Sequence, residues 1–181
     1  GLFLMMIRTL LRDTAIRFAN PGEALTHVNR MIADDTPSSM FATLFYFVCN
    51  LKTGRATFTN AGHLPALKIS RGGVSSILGE KGRSHAVPIG ATEDFAYGSG
   101  EFDLAPGDRI LLYTDGITEA MDMESRLFGD KRFLECVAAR ANRPAQEILD
   151  AIYGEVKEYQ QGHEPADDIT LLVFTYRGPA A

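Results

Sequence analysis

Apolar residues recur every three or four positions at the start of the chain, a spacing typical of a helix with one buried face. The residues with this spacing are Phe3, Met6, Ile7, Leu10 and Leu11. The pattern predicts a first helix over residues 2–18. A second helix is predicted from Pro21, which suits a first turn, with Asn20 as its N-cap. The predicted inner face of this helix consists of Ala24, Leu25, Val28 and Ile32.

The pattern then changes to aromatic and β-branched residues, which favour strands. Residues 41–59 predict a β-hairpin whose turn is the sequence "LKTG". The sequences "LPALKIS" and "VSSIL" predict a second strand–turn–strand unit around "RGG". Residues 79–100 predict irregular structure, with "VPIG" as a turn. The following "GEFDLAPGDRILLYTDG" predicts a strand, a Pro-Gly-Asp turn and a strand.

Two more helical patterns, at residues 131–141 and 144–160, precede a last strand in "DDITLLVFTYR". Hairpin connections imply antiparallel pairing, and strands this apolar imply that both faces of the sheets are covered. The simplest architecture is therefore α+β, with sheet packed on sheet and helices outside. Since no linker or repeat interrupts the chain, we expect a single domain over residues 1–181.

Composition fits this expectation and excludes some classes of function. The 181 residues are 45% hydrophobic and 23% charged, which is ordinary for a folded domain. A formal net charge of −5 argues against nucleic-acid binding, which needs a basic surface. The apolar run "LFLMMI" is far shorter than the roughly 20 residues of a membrane span. Cys49 and Cys136 lack metal-ligand spacing, and their apolar surroundings indicate buried free thiols in a reducing cytoplasm.

Carboxylates stand at the tips of two predicted strands. Asp115 and Gly116 follow the strand "ILLYT", while Asp167 and Asp168 come just before the last strand. If these strands pair antiparallel, the end of one and the start of the other share one rim, and the carboxylates converge. Carboxylate oxygens are the ligands that Mg²⁺ and Mn²⁺ prefer. The alternative is that these residues only form turns, because Asp-Gly ends many strands.

Four segments of the sequence, in this order, carry a family resemblance. They are "MFATLFYFVCNLKTGRATFTNAGHLPALKI", "VPIG", "LAPGDRILLYTDGITEAMDMESRLFG" and "ADDITLLVF". Together they closely resemble the bacterial SpoIIE/RsbU-type branch of the PP2C (PPM) serine/threonine phosphatases, over residues 2–176. The resemblance implies a PP2C-like four-layer α/β/β/α sandwich of two antiparallel sheets flanked by helices. It also implies a phosphatase that depends on Mn²⁺ or Mg²⁺, with a two-metal site in the complete domain.

Carried over position by position, the resemblance makes Asp115 and Asp167 metal ligands. Asp168 stands where the family often has Asn, so we expect it to hydrogen-bond or to bind metal through water. Gly116 either keeps a side chain away from the ions or is an ordinary turn glycine. The family's first metal-binding sequence, a "GD" followed by a "D-x-S-G-H-G"-like turn, is absent upstream of the first helix. The resemblance therefore implies a missing N-terminal part, and an isolated segment that binds metal weakly and has little activity.

His63, in the sequence "NAGH", is the candidate catalytic side chain. An imidazole that titrates near neutral pH can donate a proton to a substrate phosphate or to a leaving oxygen. The alternative is a histidine that anchors a turn through hydrogen bonds. We expect Asn60 to fix that same turn.

The functional hypothesis is a phosphatase acting on phosphoserine or phosphothreonine of a regulatory protein. The resemblance implies an anti-sigma-factor antagonist as the substrate, an attached sensor or receiver domain and a cytoplasmic location, and it leaves a homodimer open. The irregular residues 77–100 are a candidate flap that contacts the partner. One alternative is a catalytically silent module of the same fold that binds the partner. The other is a metal-dependent hydrolase of small phosphate esters.

Overall fold

The two N-terminal helices form where the apolar spacing predicts them. In the computed structural model, which describes residues 2–35, 40–77, 87–162 and 167–179, α1 spans Leu2–Arg17 and α2 spans Pro21–Asp35. The predicted N-cap is confirmed, since the side-chain oxygen of Asn20 accepts hydrogen bonds from the Gly22 and Glu23 amides at 2.9 and 3.2 Å. The predicted inner face of α2 is completely buried, with 0% exposure at Ala24, Leu25, Val28 and Ile32.

The described strands form two antiparallel sheets. In chain order they are β1 (Leu44–Cys49), β2 (Arg55–Ala61), β3 (Leu67–Ser70), β4 (Gly73–Ser76), β5 (Gly100–Asp103), β6 (Arg109–Tyr113) and β7 (Leu171–Thr175). One sheet has the order β1-β2-β5 and the other β4-β3-β6-β7. Helices α3 (Gly129–Ala139) and α4 (Ala145–Gln160) follow β6 in the sequence. The prediction of an α+β fold with two antiparallel sheets and four helices is confirmed.

Contacts divide the chain into two compact units. The first contains residues 1–63 and 83–103, and in it α2 packs against α1, β1 and β2. Its core consists of Ile7, Leu25, Val28, Ile32, Ala61, Ile89 and Tyr97. The prediction of one domain over residues 1–181, without its N-terminal strands and first metal-binding motif, stays a prediction. No helix in the described ranges is long and apolar enough to cross a membrane.

The second unit contains residues 64–82 and 104–181, and it carries both predicted strand tips. Helix α3 packs near β4 and α4 near β7. The core between helices and sheet includes Ile69, Leu111, Tyr113, Ile117, Phe133, Val137, Ile148, Ile152 and Val156. Successive residues of a strand point to opposite faces, and Ile110 and Leu111 of β6 are both 0% exposed. Both faces of β6 are therefore covered, as its apolar sequence predicted.

One predicted connection is wrong as a hairpin. The strands on either side of the Pro-Gly-Asp turn do not pair, because β5 joins β2 whereas β6 joins β3 and β7. The turn is instead bound to the four-stranded sheet. The buried carboxylate of Asp108 accepts a hydrogen bond from the Ala105 amide at 3.0 Å and pairs with Lys68 of β3 at 3.1 Å. The Gly107 amide donates to the Tyr176 carbonyl at 2.7 Å, next to the end of β7.

The predicted irregular segment is held to α2 where it is described. Residues 78–86 lie outside the described ranges, so the flap expected at residues 77–100 is described only in its second half. Asn29, which is 0% exposed, donates to the carbonyls of Thr92 and Glu93 at 2.8 and 3.0 Å and accepts from the Gly90 amide at 2.8 Å. One buried amide side chain thus orders a stretch without regular secondary structure.

Candidate metal-binding rim

The antiparallel pairing of β6 and β7 brings the two predicted strand tips together. The ladder runs from Arg109 opposite Thr175 to Tyr113 opposite Leu171. One position further, the Thr114 amide donates to the Thr170 carbonyl at 3.1 Å. The end of β6 and the start of β7 therefore share one edge of the sheet. We call Asp115, Asp167 and Asp168, at this edge, the acidic rim.

Gly116 marks the closest approach of the two chain segments at the rim. A Cβ placed on Gly116 would lie 2.6 Å from the carbonyl oxygen of Asp168 and 3.1 Å from that of Asp167. Gly116 is not among the described glycines with a positive φ angle, so the turn itself does not demand a glycine. Glycine is required at this position because the backbone of the β7 entrance occupies the space of a side chain.

The side chains of the rim are open to solvent. Asp115, Asp167 and Asp168 are exposed, while Gly116 is buried. One carboxylate oxygen of Asp167 accepts a hydrogen bond from the Asp168 amide at 2.7 Å. Exposed carboxylates on two neighbouring backbone segments offer oxygen ligands that suit a hard divalent cation. Among residues 2–35, 40–77, 87–162 and 167–179, no group of three or more His, Cys, Asp or Glu side chains is arranged to hold a metal.

The chain after the rim forms a turn. The Ile117 amide donates to the Thr114 carbonyl at 3.2 Å, and the Glu119 amide donates to the Asp115 carbonyl at 2.8 Å. The Thr118 hydroxyl also donates to the Asp115 carbonyl, at 3.3 Å. These bonds hold the backbone of Asp115 in place while its carboxylate stays exposed.

A loop that follows this turn is organised by the buried carboxylate of Asp122. It accepts hydrogen bonds from the amides of Glu124 and Arg126, both at 2.9 Å, and from the Arg126 Nε at 2.7 Å. The pKa of Asp122 is lowered to about 2, and the largest cause is the hydrogen bond from the Arg126 amide. The loop closes where the Gly129 amide donates to the Thr118 carbonyl at 2.9 Å. Asp122 therefore stays ionised at neutral pH, and its carboxylate holds the residues of the loop together through these hydrogen bonds.

The last residue of β6 anchors the rim in the core of the second unit. Tyr113 is 7% exposed and its ring lies 4.3 Å from that of Phe133 in α3. Burial, with a smaller contribution from the charge of Asp130, raises the pKa of Tyr113 to about 12. The phenol is therefore neutral at physiological pH and acts in packing, two positions before Asp115.

His63 lies in the first unit, at the end of a tightly bonded turn. The side chain of Asn60 accepts from the His63 amide at 2.8 Å and donates to the His63 carbonyl at 2.9 Å. The expectation that Asn60 fixes this turn agrees with these bonds. The His63 Nδ1 lies 3.4 Å from the Thr43 hydroxyl. A catalytic role for His63 stays a prediction.

Sequence analysis did not single out Thr114 as a site residue. Its hydroxyl donates to the Asp168 carbonyl at 2.9 Å and accepts from the Thr170 amide at 2.9 Å. The available signal was weak: a hydroxyl residue directly before Asp115, on a strand whose predicted neighbour begins near Thr170. Hydroxyls at strand ends are common, so only the pairing of β6 with β7 reveals the contact.

Comparison with known proteins shows the family of the chain. Residues 1–177 match the family described as "Stage II sporulation protein E (SpoIIE)". The chain belongs to the SpoIIE family. Protein IcfG of Synechocystis sp. is 34% identical to this SpoIIE-family chain over 199 residues, covering 95% of the chain and 31% of IcfG. Phosphoserine phosphatase RsbU of Bacillus subtilis is 27% identical over 175 residues, covering 96% of the chain and 50% of RsbU.

Solved structures show the same fold. The SiaA-PP2C domain of Pseudomonas aeruginosa superposes with a TM-score of 0.79 at 24% identity, covering 97% of this chain and 69% of that one. The catalytic domain of the serine/threonine protein phosphatase PstP, in complex with two manganese ions, superposes with a TM-score of 0.59 at 17% identity. This match covers 92% of the present chain and 78% of the PstP chain. The predicted resemblance to SpoIIE/RsbU-type PP2C domains and the PP2C-like fold are confirmed. The SpoIIE-family chain spans at most half the length of the two relatives above.

Proposed function

We propose that this chain is the catalytic domain of a metal-dependent protein phosphatase that hydrolyses phosphoserine or phosphothreonine on a regulatory partner protein. The single observation that carries the proposal is the pairing of β6 with β7, which puts Asp115 next to the Asp167–Asp168 segment. Membership of the SpoIIE family and similarity to a named phosphoserine phosphatase support it.

The proposed metal ligands are Asp115 and Asp167, and Asp168 would bind the metal through water or make a hydrogen bond. Divalent Mn²⁺ or Mg²⁺ would supply Lewis-acid polarisation of the phosphate ester and a reactive water at neutral pH. The chain's own contribution is positional: the turn after Thr114 fixes the Asp115 backbone, and Asp167 is oriented by the Asp168 amide. The proposal agrees with a PP2C-fold neighbour that holds two manganese ions.

His63 is the proposed proton donor to the leaving seryl or threonyl oxygen. The support is its place on a turn held by two hydrogen bonds to Asn60, which limits the movement of its backbone. His63→Gln keeps a polar side chain of similar length but cannot titrate. A catalytic role predicts loss of one limb of the pH–kcat profile, whereas a purely structural role predicts a lower melting temperature with an unchanged profile.

The proposed substrate is an anti-sigma-factor antagonist, as the family resemblance implies. We also propose a cytoplasmic protein with an attached sensor or receiver domain, and residues 77–100 as the segment that contacts the partner. The match over no more than half of each relative leaves room in those proteins for other domains.

The decisive experiment is Mn²⁺-dependent dephosphorylation of a phosphoserine protein by the complete protein that carries this domain. Mutation of a residue that only supports a metal ligand typically lowers metal affinity or activity by about 10–100-fold. Loss of a direct ligand should cost more, so Asp115→Asn and Asp167→Asn should each lower kcat by about 100-fold or more. Asp13→Asn makes the same chemical change on the exposed face of α1 and should leave kcat unchanged. Activity untouched by both rim substitutions would overturn the metal assignment.

The same assay separates the alternatives. A silent partner-binding module would bind the phosphoprotein but show no turnover with any divalent cation. A hydrolase of small phosphate esters would act on free phosphoserine as efficiently as on the phosphoprotein. Either result would replace the proposed function.

A further inference from the structure

At the end of the β6–β7 ladder, the side-chain hydroxyl of Thr114 replaces its backbone carbonyl as a hydrogen-bond acceptor. In a regular antiparallel ladder the Thr170 amide would donate to a backbone carbonyl of β6. Here it donates to the Thr114 hydroxyl at 2.9 Å, and the same hydroxyl donates to the Asp168 carbonyl at 2.9 Å. One side chain therefore contacts two residues of the β7 entrance.

Because the hydroxyl accepts from the Thr170 amide, the Thr114 carbonyl is free to accept a different hydrogen bond. The carbonyl accepts from the Ile117 amide at 3.2 Å and so starts the turn that carries Asp115. If the carbonyl stayed in the ladder, the strand would continue and Asp115 would project as an ordinary strand residue. The hydroxyl lets the chain turn away from the sheet while remaining tied to the segment that holds Asp167 and Asp168.

We infer that Thr114 is a positioning residue that sets the spacing between Asp115 and the Asp167–Asp168 segment. The inference rests on the proposed function, because the spacing matters only if these carboxylates bind a metal together. Thr114 is half-buried, does not belong to the acidic rim and needs no contact with metal or substrate. Its role is to hold two backbone segments at a fixed separation, which preorganises their carboxylates.

The first test measures Mn²⁺ binding by calorimetry in the complete protein. Thr114→Val keeps the β-branched shape and removes the hydroxyl, and should weaken Mn²⁺ binding about tenfold. Thr114→Ser restores the hydroxyl and should bind within about twofold of the wild type. Thr175→Val is the matched control, since Thr175 lies at the other end of the same ladder and its hydroxyl makes no hydrogen bond within the described ranges.

The second test needs no metal. In protein treated with EDTA, amide hydrogen exchange at Thr170 should be about tenfold faster in Thr114→Val than in the wild type, because the amide loses its acceptor. Thr114→Ser should retain slow exchange. Circular dichroism checks that each variant is folded, and Thr114→Ala serves as a second hydroxyl-free variant if Thr114→Val does not fold.

The outcomes distinguish this inference from the proposed function. Weaker Mn²⁺ binding and faster Thr170 exchange, both rescued by serine, support Thr114 as a positioning residue. A lower melting temperature with unchanged Mn²⁺ affinity means a purely structural role and overturns the inference alone. Absence of Mn²⁺ binding by the wild type would overturn the metal assignment, and the inference with it.

Discussion

Gly116 and Asp168 approach each other so closely that no side chain fits between them. A Cβ on Gly116 would come within 2.6 Å of the Asp168 carbonyl oxygen and 3.0 Å of its carbonyl carbon. Both atoms belong to the backbone and cannot rotate away like the end of a flexible side chain. The contact therefore links the residue after Asp115 directly to the entrance of β7.

Gly116→Ala should therefore destabilise the protein. Forcing a methyl group into a well-packed site typically costs about 1–3 kcal/mol, because the backbone has to shift. The free energy of unfolding in urea is the measurement. The matched control is Gly154→Ala, within α4, where a Cβ has nothing within 4 Å. That change should stabilise by roughly 0.5–1 kcal/mol, because alanine is the better helix former. Equal effects of the two substitutions would contradict the packing argument.

Asp122 should make stability depend on pH in the acidic range. Its pKa is about 2 in the folded protein, below the ordinary value of 3.8. Between these values the unfolded state binds more protons, so stability falls as pH decreases from about 4 towards about 2. The stability advantage of the wild type over Asp122→Asn should therefore be full above pH 4 and shrink through this window. Urea unfolding from pH 6 to pH 2.5 measures it, and a difference that stays constant would be inconsistent with the lowered pKa.

Cys136 should resist alkylation in the folded protein. It is 3% exposed, and burial, with a smaller contribution from the neighbouring carboxylate of Glu155, raises the pKa of its thiol to about 12. At pH 8 this lowers the thiolate fraction about 1,000-fold relative to a thiol with a pKa of 9. Cys49 is half-buried and should react faster with iodoacetamide, as mass spectrometry can resolve. In urea both thiols should react alike; similar rates in the folded protein would refute the prediction.

Asn29 should contribute strongly to stability although it is polar. Asn29→Leu preserves approximate volume but leaves the Gly90 amide and the carbonyls of Thr92 and Glu93 without their partner. We expect a loss of about 1–3 kcal/mol in urea unfolding, and faster proteolysis within residues 87–99. Asn142→Leu, on an exposed site, should change stability by no more than about 0.5 kcal/mol. Unchanged proteolysis in the Asn29 variant would show that other contacts hold the segment.

Much of the local structure could be predicted because its causes are local. Apolar spacing defines the buried face of α2, and the capping oxygen of Asn20 lies within three residues of the amides it binds. The "LKTG" hairpin likewise depends on neighbouring residues, with Gly54 at a φ angle of 80° where β2 begins. The position of Asp115 at a strand end was readable for the same reason. Periodicity and turn chemistry act over a few residues, and the sequence displays them directly.

The partners of strands and the purpose of Gly116 and Thr114 were decided by tertiary structure. The Pro-Gly-Asp turn has the same sequence whether it closes a hairpin or joins two sheets, and Lys68 and Tyr176 hold it to the second sheet. Gly116 is needed because Asp168, which is 52 residues further along the chain (168 − 116), packs against it. The Thr114 hydroxyl finds Thr170 only after β6 and β7 have paired. Such contacts join residues that are remote in the sequence, and only the folded chain brings their atoms within hydrogen-bonding or van der Waals distance.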